Sequence, residues 1–355
     1  RSDPSAGSGY RIENPELAMG SVDLSFVLAI LSPLLIGVLG VSIGGRERED
    51  RIDRLIIVQA GSVRQWLLAR LVAMTGIAAV SNAILCLVAG FMGGASIQEL
   101  AVFTALGVGY AALWGGVLAL VSAYAQTVRG EALTFGVVWM ALCIVLPTVA
   151  SEVSLARVQT DFGVAETLDA RALSYKAYEM DIEDITTQVY DWYPELTELP
   201  GAADRKLSPL ARRHATSAVL VSAMADRVAS RQDSARTAQR FAEKASWASP
   251  AVALTLALER LAGVGPEAAS AFQAYSMKAV DQRIRWILRT TWNKTSLDQA
   301  DFDALVDDSP PAFRWEARFM SPVPLALIVW FMASWMLAIV GLRRVEGRMK
   351  PTSVA

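Results

Sequence analysis

The chain is poor in charge, cysteine and histidine. Of its 355 residues 19% are charged, two are cysteine and one is histidine. Two cysteines exclude a disulfide scaffold, and low charge with 53% hydrophobic residues excludes disorder and a coiled coil. Several catalytic and binding signatures are missing as well. There is no G-x-x-x-x-G-K-[ST], no H-E-x-x-H, no G-x-S-x-G and no cysteine pair at metal-ligand spacing. His214 stands beside Arg212 and Arg213 and reads as a surface or locally bonded imidazole. Cys86 and Cys143 read as small packing residues inside apolar windows. The acidic run Asp298, Asp301, Asp303, Asp307 and Asp308 lacks the spacing of a calcium loop and reads as a solvated loop over Asp298–Pro311.

What remains is long, uncharged and apolar. Leu24–Gly45, Leu71–Gln98, Leu100–Val128, Ala132–Ser151 and Phe319–Leu342 contain no Asp, Glu, Lys or Arg. A helix rises about 1.5 Å per residue, so about 20 residues cross the hydrocarbon core of a bilayer. Each window is long enough, which makes the chain an integral membrane protein with five expected spans. No span is expected to carry an ionisable residue in its interior, which argues against an ion-coupled carrier. No nucleophile–base pair lies in the spans either, which argues against an intramembrane enzyme. The pairs Gly40/Gly44 and Gly90/Gly94 have helix-packing spacing.

Basic residues set the expected orientation. Eleven Lys or Arg lie between spans one and two, between three and four, and after five; Met92–Glu99, on the opposite side, has none. The positive side faces the cytoplasm. Residues 1–23 and 152–318 are then extracytoplasmic, and the tail 343–355 is cytoplasmic. The long segment 152–318 has 20 basic and 24 acidic residues and reads as a solvated domain. Apolar periodicity predicts helices over Ala211–Lys244, Pro250–Leu261 and Ala268–Trp292, with Gly263 and Gly265 ending the second. Tyr190–Pro209, rich in proline, is expected to be an irregular connector. The expected fold class is therefore all-α, a polytopic helix bundle with a mostly helical extracytoplasmic domain. Because the sequence opens on Arg1 and threads with an extracytoplasmic start, an upstream span is expected, making six.

The loop Arg46–Arg70 carries the most information. Charges crowd its front, an apolar stripe of Ile52, Leu55 and Ile56 follows, and Gly61 interrupts before Trp66 and Leu67. Such a segment lies on a membrane surface or docks into the groove of a cytoplasmic partner. Preceded by Ser32-Pro33-Leu34-Leu35, and containing Glu47-Arg48-Glu49, Arg54 and Leu67-Leu68-Ala69-Arg70, it resembles the permease subunits of ABC-2 type transporters. It departs from their pattern at Arg51, Asp53 and Ala69. Ala248-Ser249-Pro250, Leu258–Gly263, Phe272 and Asp307–Trp315 resemble the subgroup with a large extracytoplasmic helical domain before the last span. The resemblance implies an ATP-binding subunit on a separate chain, a second permease (identical or not), and a bacterial cytoplasmic membrane. It implies no ATPase site, cofactor or nucleic-acid partner of this chain's own. Glu47, Arg48, Glu49, Ile52, Arg54, Leu55 and Ile56 become the candidate ATPase-coupling residues. A membrane-anchored sensor or assembly scaffold is the competing reading.

Overall fold

The computed structural model describes residues 24–41, 49, 63–157, 171–172, 174–199, 208–292, 296–307, 313–315 and 322–349. Among them there are helices and no strands, so the chain is an all-α membrane protein. It divides into two compact units. The first holds 1–148, 245–261 and 319–355; the second holds 149–244 and 262–318.

Helix α1 is Leu24–Gly40, α2 is Val63–Met92 and α3 is Ile97–Tyr124. The continuous helix α4 begins with Val128–Met140 and ends with Leu146–Arg157. The closing helix of the unit, which we call α10, is Pro322–Met349. Four of these, α2, α3, α4 and α10, are long and apolar enough to cross a membrane; α1 is a shorter apolar helix of the same character. The five expected spans thus correspond to four full-length helices and one shorter one.

Helix α3 is the centre of the first unit and packs most extensively on α2 and α10. Its buried Tyr110, Leu113, Trp114 and Leu118 form one core with Leu28, Ile36 and Leu71. The Trp114 ring meets Tyr110 and Phe135 edge-on, with centroids 6.4 and 5.8 Å away. Adjacent glycines let α3 approach both neighbours. A Cβ on Gly115 would lie 2.5 Å from Thr75 Oγ1 of α2, and one on Gly116 would lie 2.6 Å from Ser334 Oγ of α10. Of the expected packing glycines, Gly40 does meet Leu118 and Gly90 meets Leu100, whereas Gly94 is a turn residue with φ 70°. Polar bonds add direction to this packing: Asn82 donates to Ser32 Oγ at 2.8 Å and to the Gly107 carbonyl at 3.0 Å, tying α1, α2 and α3 together. Trp335 Nε1 donates to the Ala112 carbonyl at 2.9 Å. Val72, Ile77, Val80, Ile84 and Val88 of α2 are exposed, as lipid-facing residues of a membrane helix must be.

Two spans contain a π-helical step. In α1 it covers Val27–Leu31 and in α4 it covers Ala141–Val145. Each ends two residues before a proline, Pro33 and Pro147. A proline has no N–H and its ring crowds the carbonyl four residues back, so an uninterrupted α-helix cannot run through it.

In the second unit, α5 is Ile182–Trp192, followed by a 3₁₀ turn at Pro194–Glu198. Tyr190–Trp192 are thus helical, which shortens the expected connector at its start; residues 200–207 lie outside the described ones. Helix α6 is Pro209–Ala245, capped by Ser208 Oγ on the Ala211 N–H at 3.0 Å. Helix α7 is Pro250–Ala262, α8 is Pro266–Thr291 and α9 is Gln299–Asp307. Ile185, Val189, Leu196, Ala215, Leu288 and Trp292 make the second core. Arg285 bonds to Glu195 at 2.7 Å and to Asp281 at 2.8 Å while lying 4.8 Å over the Tyr193 ring. Burial, reinforced by Asp281, pushes the Tyr193 phenol up to about 12.

Two expectations change here. The acidic run is not an open loop: Asp298 accepts from the Asp301 N–H at 2.8 Å and Asp301 accepts from the Asp298 N–H at 3.1 Å. That reciprocal capping starts α9, so these carboxylates serve a helix end. The second change concerns the domain boundaries. Helix α7 falls inside the expected extracytoplasmic segment 152–318, yet Ala245–Leu261 belongs to the first unit. Its Ala251, Ala253, Leu254, Ala257 and Leu258 are buried in the same core as the spans. The apolar face of α7 has more to bury against five apolar helices than against the charged surfaces of α6 and α8. Gly263, at φ 70°, ends α7 as expected, and a Cβ there would meet the Trp315 ring at 2.7 Å.

The glycine contacts of α3 make a direct test. Gly115→Ala and Gly116→Ala should each destabilise the bundle by about 1–3 kcal/mol, the usual cost of overpacking. Gly109→Ala, on the same helix with nothing within 4 Å of its added Cβ, should be neutral or slightly stabilising. Thermal unfolding midpoints in one detergent provide the comparison, and equal effects at all three positions would contradict the packing.

Candidate functional site

The site begins at the turn between α3 and α4, where Ala125, Gln126 and Thr127 connect the two helices. The first four N–H groups of a helix have no partner within it. Thr127 Oγ1 accepts from the Gly130 N–H at 3.1 Å, and the Thr127 carbonyl accepts from the Glu131 N–H at 3.0 Å. The Val128 N–H is served from far along the chain: Glu49 Oε2 accepts from it at 3.4 Å. A carboxylate near a helix N-terminus is favoured by the helix dipole, by about 0.3–1 kcal/mol when exposed.

Glu49 belongs to the loop Arg46–Arg70 that sequence reasoning singled out. It is helical and exposed. The other candidate coupling residues, Glu47, Arg48, Ile52, Arg54, Leu55 and Ile56, lie outside the described residues. What is on view is one attachment point, between the loop that joins α1 to α2 and the first residue of α4.

A second carboxylate stands one turn further in. Glu131 is fully buried and accepts a hydrogen bond from the Ser122 hydroxyl of α3. Glu131 stands at the end of its span, in the first turn of α4 and just before the expected window Ala132–Ser151. Charge-free windows placed Arg129 and Glu131 in a loop, but Thr127 caps α4 early enough to bring both into its first turn. The signal was present in the sequence: an N-cap residue, Thr127, with an acidic residue, Glu131, in the following turn and an apolar run after it marks a helix start. Buried charges within membrane segments face protein or cavities and mark function more often than packing.

The remaining titratable candidate is not part of this site. His214 lies on α6 in the second unit, half-buried; burial, and then the nearby Arg213 charge, push its imidazole below the ordinary value of 6.5. Among the described residues no group of His, Cys, Asp and Glu is placed to hold a metal.

Residues 157–316 match the sequence profile of a domain of unknown function, DUF3526. The match covers less than half of the chain and runs through α5 to α9. It therefore includes α7, so the domain as a stretch of sequence contains a helix that folds into the membrane unit. No curated protein and no solved structure matches the chain.

The Ser122–Glu131 bond can be weighed by a double-mutant cycle. Ser122→Ala, Glu131→Ala and the pair together should be non-additive by about 0.5–3 kcal/mol in unfolding free energy, as for residues that bond directly. Strict additivity would show that the two side chains do not hold α3 to α4.

Proposed function

We propose that this chain is the membrane-spanning permease subunit of an ABC-2 type transporter. In this reading its spans line a path for cargo across the bacterial cytoplasmic membrane, and a separate ATP-binding subunit supplies the energy. Two permeases assemble around the path, the tail 343–355 is cytoplasmic, and residues 152–318 are extracytoplasmic.

The observation that carries the proposal is the bond between Glu49 and the Val128 N–H. A loop that receives a push from a cytoplasmic ATPase must hand it to a transmembrane helix. Here the loop with the ABC-2-like motif reaches the first residue of α4, next to the turn that Thr127 caps and Glu131 buries. Displacing Glu49 would pull on the start of α4, a helix that continues for about 40 Å at 1.5 Å per residue. In this scheme the stripe Ile52, Leu55 and Ile56 fills a groove on the ATPase, while Glu47 and Glu49 pass its movement to the membrane helices.

The two roles separate experimentally. Burying one large apolar side chain contributes roughly 1.5–3 kcal/mol, so Leu55→Asp should weaken ATPase binding about 10- to 100-fold. Its recovery with the permease should fall at matched membrane levels. Glu49→Ala should instead leave recovery intact and reduce cargo-dependent ATP hydrolysis. If ATPase recovery is the same with wild type and Leu55→Asp, the loop is a surface-lipid helix and the coupling role is lost. If no ATPase co-purifies with wild type, the sensor or scaffold reading replaces it.

A further inference from the structure

Helix α4 has a second attachment, beyond its start. At the π-helical step the Leu146 N–H bonds to the Ala141 carbonyl, five residues back. The Leu142 carbonyl therefore loses its usual donor. The next residue along the helix is Pro147, which has no N–H to offer it. This orphaned carbonyl accepts from the Ser249 hydroxyl at 2.6 Å. Ser249 is itself buried and caps α7, accepting from the Val252 N–H at 3.3 Å.

The step in α1 is covered at a position one residue nearer its proline: the Ser32 N–H bonds to the Val27 carbonyl, and the carbonyl four residues before the proline is the one served from outside. Pro33 cannot donate to the Ala29 carbonyl, which instead accepts from the Tyr110 hydroxyl at 2.9 Å. Trp139 Nε1 donates to the neighbouring Ile30 carbonyl at 3.1 Å. Tyr110 also lies 3.9 Å from Cys143 Sγ, inside the α4 step. One tyrosine of α3 thus touches both interruptions, and Ser249 closes the second from α7.

We propose that these two pre-proline steps form a hinge layer across the bundle, and that the Ser249–Leu142 bond is its latch, seating α7. The step in α4 lacks the backbone bonds that would stiffen it, so bending there is resisted mainly by bonds from outside the helix. When the Ser249 hydroxyl lets go, the Leu142 carbonyl is left without a donor in an apolar setting, and α4 and α7 loosen together. Ser249 is then a positioning residue that acts through α4, not merely the cap of its own helix. The inference rests on the geometry of α4 and α7 and stands whether or not the chain transports anything.

Hydrogen exchange of the full chain in lipid nanodiscs, read by mass spectrometry, tests it. Ser249→Ala should speed exchange both in the first turns of α7 (250–256) and in 142–148 of α4. The expected increase is roughly 2- to 10-fold, the range one net hydrogen bond supplies. Ser249→Thr, which keeps the hydroxyl, should exchange like wild type. Adding Pro147→Ala to Ser249→Ala gives the helix back an N–H and should restore protection in 142–148 while α7 stays fast. If Ser249→Ala speeds α7 alone, the serine is an ordinary helix cap and the latch is refuted. Unchanged exchange in both segments would overturn it as well.

Discussion

Inside a bilayer no water can satisfy a backbone carbonyl, and each unpaired group costs several kcal/mol. That constraint shapes this protein at two places, Pro33 and Pro147. Each proline deletes a donor from an apolar helix, each is preceded by a π-helical step, and each step is covered by side chains from elsewhere in the bundle. Tyr110 and Ser249 serve the Ala29 and Leu142 carbonyls, and Trp139 adds a bond to the Ile30 carbonyl beside them. The arrangement of α1, α3, α4 and α7 follows from keeping these groups paired.

Seen this way, α7 is less an inserted piece of the outer segment than a part of the bundle's hydrogen bonding. Its apolar face supplies burial among the spans, and its cap supplies a hydroxyl to α4. Trp330 of α10 adds a bond to the Trp247 carbonyl just before α7, at 3.2 Å. Helix α4 is thereby held at two levels: near its start by Glu49, Thr127 and Ser122, and at its middle by Ser249 and Tyr110. Our proposed transport mechanism uses the first attachment, and the hinge uses the second.

Much of this was legible in the sequence, and the gaps have physical causes. Charge-free windows located the apolar helices because charge is what hydrocarbon excludes most strongly. The same criterion hid Glu131, since a carboxylate bonded by Ser122 can enter the first turn of a span. Periodicity found α6, α7 and α8 but could not say what α7 packs against; an apolar stripe fits any apolar partner. The Asp298 run was misread because acidic side chains suit a helix N-terminus as well as a loop. The interruptions at Pro33 and Pro147 lie inside windows defined by charge alone, and only the fold shows which side chains cover the freed carbonyls. In the loop Arg46–Arg70, Glu49 is where a tertiary contact, to the Val128 N–H, meets the sequence motif.

Ser249 of α7 holds the Leu142 carbonyl, which neither Leu146 nor Pro147 serves. A density map of the full chain in a lipid nanodisc, resolved well enough to place carbonyl oxygens, would show this bond. The Leu146 N–H should lie on the Ala141 carbonyl and Ser249 Oγ within hydrogen-bond distance of the Leu142 oxygen. A regular α-helical path from Met140 to Leu146, or an α7 standing away from α4, would contradict it.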